Sequence, residues 1–311
     1  RLPQHPLISV DPKLRLVHAH GQSMPDWIRM RGGMLDRFPD GVAKPTTRAD
    51  LEALVQFAAA ENIVVIPYGG GTSVVGHLEV PEIDKPVLSL SFEHLNRMVD
   101  IDTGSLLATF EAGIRGPALE AHLNKRGFTL GHYPQSFEYS TLGGWVATRS
   151  SGQQSRHYGR IEQLFAGGEL LTSQGSLQLP PYPASAAGPD LRHLVLGSEG
   201  RMGVLTKIVV RISPLPPKDD IYAVFFPSWD NGKQAVQALA ASGTRFSMVR
   251  LSNPTETATN LALAGHDREI AWLNRYLYFR GISQPDACMC LVGFTGSRKQ
   301  VTAARSETFS I

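Results

Sequence analysis

The chain has 311 residues, 42% of them hydrophobic and 19% charged, with a formal net charge of +2. That allows one large or two ordinary domains with a sizeable core, and the dispersed Lys and Arg form no basic block, so no nucleic-acid partner is expected. No apolar run reaches the roughly 18 residues of a membrane-spanning helix. The opening RLPQHPLISV lacks a signal-peptide core, and the only cysteines, Cys288 and Cys290, are separated by one residue, a spacing at which a strand would strain a disulfide. A reduced, cytoplasmic protein is the expectation.

In chain order, residues 1–36 read as a polar, irregular lead-in. In PTTRADLEALVQFAAAENIVVIPYGGG, Thr47 and Asp50 have the spacing of a capped helix start, and Leu51, Leu54, Val55, Ala58 and Ala59 form one apolar stripe. Ile63 to Ile66 read as a buried strand ending at Pro67, followed by strands PVLSLS (86–91) and LLATFEAG (106–113). Pro117 then suits a first helical turn and Gly127 a stop. LFAGGELLTSQGSLQL reads as a hairpin and GVLTKIVVRISP as a long strand. SPLPPKDD breaks the pattern, which sets expected domains at 37–217 and 218–311. In the second of these, IYAVFFP, FSMVRLS and CMCLVGF read as strands of an antiparallel sheet and GKQAVQALAAS as a helix; IAWLNRYLYF reads first as a core helix face, with a tunnel lining or a membrane surface as alternatives. No terminal element is legible in SETFSI.

The stretch PYGGGTSV, residues 67–74, is the first that looks chemical. Consecutive glycines after a strand can expose backbone amides to a pyrophosphate, or can simply make a tight turn. The loop has no lysine, which argues against a P-loop and nucleotide hydrolysis, and Val74 stands where a nicotinamide-type fingerprint needs its third glycine. Three further Gly/Ser/Thr-rich turns follow: AGIRGPALE, GHYPQSFEYSTLGGWVATRSSG and GSEGRMGVLT.

Taken in this order, the four motifs resemble the FAD-binding domain of the vanillyl-alcohol-oxidase superfamily across about residues 37–217. HAHGQS, the long GHYPQSFEYSTLGGWVATRSSG, GPDLRHLVLGSEG and MVRLSN are most similar to the alkyl-dihydroxyacetone-phosphate synthase family. The resemblance implies an α+β fold: a two-lobed FAD-binding domain of that type, with a second α+β cap (substrate) domain that is incomplete here. It also implies that Pro67, Tyr68, Gly69, Gly70, Gly71, Thr72 and Ser73 cradle the FAD pyrophosphate, and that Pro134, Gln135, Ser136, Phe137, Glu138, Tyr139 and Ser140 line the dinucleotide and flavin. Thr141 to Gly144 would let the ring pack close, Ala147, Thr148, Arg149 and Ser150 would continue the contact, and Glu199, Gly200, Arg201, Met202, Gly203, Val204 and Leu205 would add another. There the family usually has EGTLG, so Arg201 and Met202 depart from it. No histidine or cysteine flanks the glycine loop, His77 lying four residues past Ser73, so non-covalent FAD is expected.

Arg250 matches an arginine that the family needs for activity; without that likeness an ordinary ion pair is its plainer reading. His18 and His20 form an H-x-H with no third ligand at useful spacing, so solvated side chains and no metal are expected. His132 reads either as substrate-facing or as a core histidine, and His193 as structural.

The implied reaction exchanges the acyl group of acyl-dihydroxyacetone phosphate for a fatty alcohol through a flavin N5 adduct, a step in ether-lipid synthesis. The implied partners are those lipid substrates, with a homodimer and a peripheral membrane contact left open. The family's C-terminal tyrosine acid/base and histidine run are not found in these 311 residues. SETFSI is similar to a family segment much further along, which implies that residues near Arg305 to Glu307 join pieces not adjacent in the natural protein. Two other functions stay open: an FAD-linked oxidoreductase of the D-lactate or glycolate dehydrogenase type, and a flavin-binding module without turnover.

Overall fold

Thr47 and Asp50 close a reciprocal capping box that starts the helix Arg48–Ala60, a device worth about 1 kcal/mol. The stripe behind it is narrower than its sequence suggests: Leu51, Leu54 and Ala58 are buried, Val55 is half-buried and Ala59 is exposed. The computed structural model describes residues 2–311. It comprises two units, one of Arg1–Gly152 with Gly159–Pro214 and one of Gln153–Tyr158 with Leu215–Ile311.

The first unit is built on two main sheets. One holds the parallel strands Gly41–Ala43, Val87–Ser91 and Val64–Tyr68, in that spatial order, with Ile8–Ser9 antiparallel at its edge. The central strand, VLSLS, is buried at every residue, as expected where a parallel sheet is covered on both faces. The other sheet is antiparallel, in the order Met98–Asp102, Leu107–Glu111, Val204–Arg211, Phe165–Thr172, Gly175–Leu179. The last two strands are the hairpin read from the sequence. The main core of the unit holds Leu51, Leu88, Phe110, Leu119 and Phe165 at essentially zero exposure, and Ile66, Leu78, Val80 and Val87 form a smaller separate cluster; each such side chain contributes about 1.5–3 kcal/mol of burial.

The lead-in is not irregular. It carries the helices Pro12–Val17 and Met24–Gly32, the second with a capping box between Ser23 and Asp26. Neither buries an apolar residue, so neither leaves an apolar stripe to be read.

The second unit is an antiparallel sheet in the order Lys218–Phe226, Cys288–Gly296, Met248–Ser252, with the helices Trp229–Ala241, Pro254–Leu263, Asp267–Phe279 and Arg298–Thr308. Leu239, Phe246, Val292, Phe294 and Val301 form its core. Cys288 and Cys290 are free and buried. Two expectations fail here. The helix containing IAWLNRYLYF is not a core face, because Leu277 is its only buried residue while Trp272, Tyr278 and Phe279 are more than 70% exposed. The chain also ends in a helix, Arg298–Thr308, started by a Ser297–Gln300 capping box.

Candidate functional site

Three loops of the first unit line one cleft of about 670 Å³. The first leaves the strand Val64–Tyr68, and all of residues 67–73 face the cleft. The amides of Gly70, Gly71 and Thr72 donate to no protein acceptor among the described residues. Buried or half-buried amides without an acceptor call for a ligand that accepts hydrogen bonds, and a pyrophosphate fits. Glycine is required at position 70 by crowding: a Cβ there would overlap the Tyr139 carbonyl oxygen and lie 3.0 Å from the Ser140 Cα. The glycine loop is thus packed directly on the second loop.

That second loop contributes Pro134, Ser136 and Ser140 before Thr141 caps the helix Leu142–Thr148. Gly143 and Gly144 line the cleft behind it, two positions at which no side chain stands in the way of a ring. Trp145 also lines the cleft and is fixed by its indole N–H, which donates to Ser140 Oγ at 2.7 Å. Ala147, Thr148 and Ser150 follow on the same wall. From the third loop come Glu199, Gly200, Arg201, Gly203, Val204 and Leu205.

Seven expected contact residues do not line the cleft: Gln135, Phe137, Glu138, Tyr139, Leu142, Arg149 and Met202. Residues 134–140 wind through successive turns, Phe137 N–H to Pro134 and Ser140 N–H to Ser136, so their side chains leave in different directions. Phe137 packs against Trp145, ring centroids 6.3 Å apart, and Tyr139 is mostly exposed. Arg149 ends its helix in the left-handed region at φ 56°, which swings its side chain aside to meet His193 Nδ1 at 3.1 Å. Met202 is an exposed turn residue.

Other cleft residues lie outside the three loops. Leu170 comes from the hairpin, and Phe92 and Ala112 from segments flanking strands. His77 lies in the wall with Nδ1 3.4 Å from Ser73 Oγ and 3.7 Å from Glu199 Oε1, linking the first loop to the third.

His132 is a core histidine, 1% exposed, with its ring edge-on to Trp145. Its Nε2 is 2.8 Å from Ser150 Oγ, while Nδ1 has no partner. Burial lowers its pKa to about 4. The unfolded chain therefore binds a proton that the folded chain rejects between pH 6.5 and 4, so this residue's contribution is fully present above pH 6.5 and is lost as pH falls through that window. The loss amounts to about 3 kcal/mol. Urea unfolding followed from pH 7 to pH 4 should show that decline, and His132→Phe should flatten it; an unchanged slope in the variant would place the titration elsewhere.

The remaining candidates sort as follows. Arg250, on the strand Met248–Ser252, pairs with Glu256 at 2.5 Å in the first turn of the next helix. His18 is not solvated: it is 4% exposed, its Nδ1 bonds the Leu14 carbonyl, and its ring packs on Tyr68 at 4.4 Å. His20 Nδ1 is 3.1 Å from the Gly21 carbonyl oxygen. No group of three or more His, Cys, Asp or Glu among the described residues is placed to hold a metal ion.

The family described as "FAD binding domain" matches residues 39–179, and that described as "FAD linked oxidases, C-terminal domain" matches residues 215–310. The alkyldihydroxyacetonephosphate synthase of Dictyostelium discoideum is 36% identical over 97% of this chain and 50% of its own length. That of Trypanosoma brucei brucei is 33% identical over 98% of this chain and 51% of its own length. A solved structure of an alkyldihydroxyacetonephosphate synthase superposes with a TM-score of 0.91 at 35% identity, covering 98% of this chain and 56% of that one. The chain thus spans about half the length of the curated relatives it matches. With a cleft whose glycine loop offers free amides and whose helix wall opens with two glycines, and with identity running through both units, the chain belongs to the alkyldihydroxyacetonephosphate synthase family and its cofactor is FAD.

Proposed function

We propose that the protein of which this chain is part is an alkyl-dihydroxyacetone-phosphate synthase, exchanging the acyl group of acyl-dihydroxyacetone phosphate for a fatty alcohol. The observation that carries this reading is the extent of the likeness: identity of 33–36% to synthases covers 97–98% of the chain, both units included. In this reading residues 37–217 hold FAD non-covalently and residues 218–311 begin the substrate domain. Bound FAD supplies an electron-accepting ring against which the substrate carbon can react.

The chain's own residues do the holding. Amides of Gly70, Gly71 and Thr72 meet the pyrophosphate, with dipoles in place of a lysine. Gly143 and Gly144 admit the ring, and Ser150, backed by His132, offers a hydroxyl beside it. Arg250 takes an anionic group of the substrate, phosphate or carboxylate, by a two-pronged hydrogen bond. Peripheral contact with a lipid surface belongs to the same proposal, supported by the exposed Trp272, Tyr278 and Phe279; no helix among the described residues is long and apolar enough to cross a membrane.

The test uses the full-length protein saturated with FAD and given acyl-dihydroxyacetone phosphate plus a fatty alcohol. Ether product and free fatty acid in equal amounts are expected. No product, together with loss of flavin absorbance on adding a 2-hydroxy acid, would replace this reading with an FAD-linked dehydrogenase.

A further inference from the structure

We propose that the N-terminal segment of residues 17–22 is a working part of the FAD site, because it pins the Ser73 carbonyl away from the cleft and so fixes the glycine loop with its amides facing the pyrophosphate. The inference rests on the FAD reading of the cleft. Gln22 N–H donates to the Ser73 carbonyl at 2.6 Å, and a Cβ on Gly21 would meet that same oxygen at 2.6 Å. At the other end of the loop the Tyr68 hydroxyl donates to the Val17 carbonyl at 3.1 Å, and the buried His18 ring packs on the Tyr68 ring. The segment therefore grips the loop at residues 68 and 73.

Ser73 lines the cleft, whereas Gly21 and Gln22 do not, so the carbonyl they hold faces the back of the loop. In a trans peptide the carbonyl and the next N–H point in opposite directions, so holding the Ser73 carbonyl on the Gln22 side leaves the Val74 N–H on the other side of that peptide, and Val74 itself lines the cleft. Rotation of this one peptide would replace a donor by a carbonyl dipole against an anion. Residues 67–74 contain no lysine or arginine, so within the loop the sign of the potential is set by peptide orientation. Gly21, Gln22 and Tyr68 act as positioning residues.

The experiment titrates the full-length apoprotein with FAD, followed by flavin fluorescence and by the visible spectrum of the bound ring. Gly21→Ala is compared with Gly41→Ala, whose Cβ would crowd Leu2 and Ile8 at 2.7 and 2.6 Å in the same N-terminal region. We expect Gly21→Ala to raise the FAD Kd about tenfold or more while the bound-flavin maxima stay at their wild-type wavelengths, and Gly41→Ala to keep wild-type affinity whatever its melting temperature. Wild-type affinity in Gly21→Ala, or equal weakening in both variants, would overturn the proposal. Should Gly21→Ala not fold, Tyr68→Phe decides: a rise in Kd of about threefold, the loss of one neutral hydrogen bond, supports it, and no change overturns it. Failure of the wild-type protein to bind FAD would instead remove the functional reading beneath it.

Discussion

Gly70→Ala is expected to leave the full-length protein folded but poorly able to retain FAD, with Kd raised about five- to a hundredfold. The added Cβ would overlap the Tyr139 carbonyl oxygen, with the Tyr139 carbonyl carbon at 2.8 Å and the Ser140 Cα at 3.0 Å. All three are backbone, so no side chain can rotate away. Overpacking of this kind costs about 1–3 kcal/mol, and each 1.4 kcal/mol is about a factor of ten in affinity. The strain is relieved only by separating the glycine loop from residues 139–140, which moves the unpaired amides out of line with the pyrophosphate and widens the cleft beside Thr141. Fluorescence titration with FAD reads the effect directly. Wild-type affinity would mean that the loop accommodates the methyl without moving, and that the packing of the two loops does not shape the site.

How much of this was legible in the sequence depended on whether an element leaves an apolar signature. The helix Arg48–Ala60 announced itself because a capping box preceded an apolar stripe. Ser23–Asp26 and Ser297–Gln300 are capping boxes of the same kind, yet the helices they start bury almost nothing apolar: none in Met24–Gly32, whose one buried residue is Asp26, and Val301 alone in Arg298–Thr308. Without a stripe, a cap pattern does not tell a helix start from a polar turn. The strand Met98–Asp102 escaped for a similar reason, being an edge strand with no fully buried residue. IAWLNRYLYF departs in the opposite direction: it reads first as a core face, with a tunnel lining or a membrane surface as alternatives, and the fold leaves Trp272, Tyr278 and Phe279 exposed.

For the site, glycine spacing located the loops but could not aim their side chains. Arg149 lies inside a cofactor motif and still points elsewhere, because the helix before it ends in a left-handed residue. Conversely, Leu170 reaches the cleft only through the pairing of its hairpin with Val204–Arg211, a contact between distant segments with no local signal. His18 looked like a solvated surface residue; its burial depends on Tyr68, fifty residues away. Backbone conformation is written locally by glycines and caps, whereas side-chain direction is settled by partners remote in sequence.

Arg250→Lys should separate catalysis from stability. The Arg250–Glu256 pair is made at 2.5 Å between side chains that are each 38% exposed, and such pairs contribute about 0–1 kcal/mol to stability; the melting temperature should scarcely move. Lysine keeps the charge but loses the planar fork that grips a phosphate or carboxylate with two parallel bonds. A hydrogen bond to a charged group is worth about 1.5–3 kcal/mol, so kcat/KM of the full-length enzyme should fall about ten- to a hundredfold. FAD affinity should stay at its wild-type value, because the cleft is lined by other residues. Glu256→Gln supplies the contrast: if Arg250 serves only its ion pair, this change is as damaging as Arg250→Lys, whereas if Arg250 serves an anionic substrate, Glu256 competes for the same guanidinium and its neutralisation leaves kcat intact without raising KM. Steady-state kinetics on the two variants, with melting temperatures alongside, distinguishes the cases. Equal losses in both, or full activity in Arg250→Lys, would return Arg250 to the status of a surface ion pair.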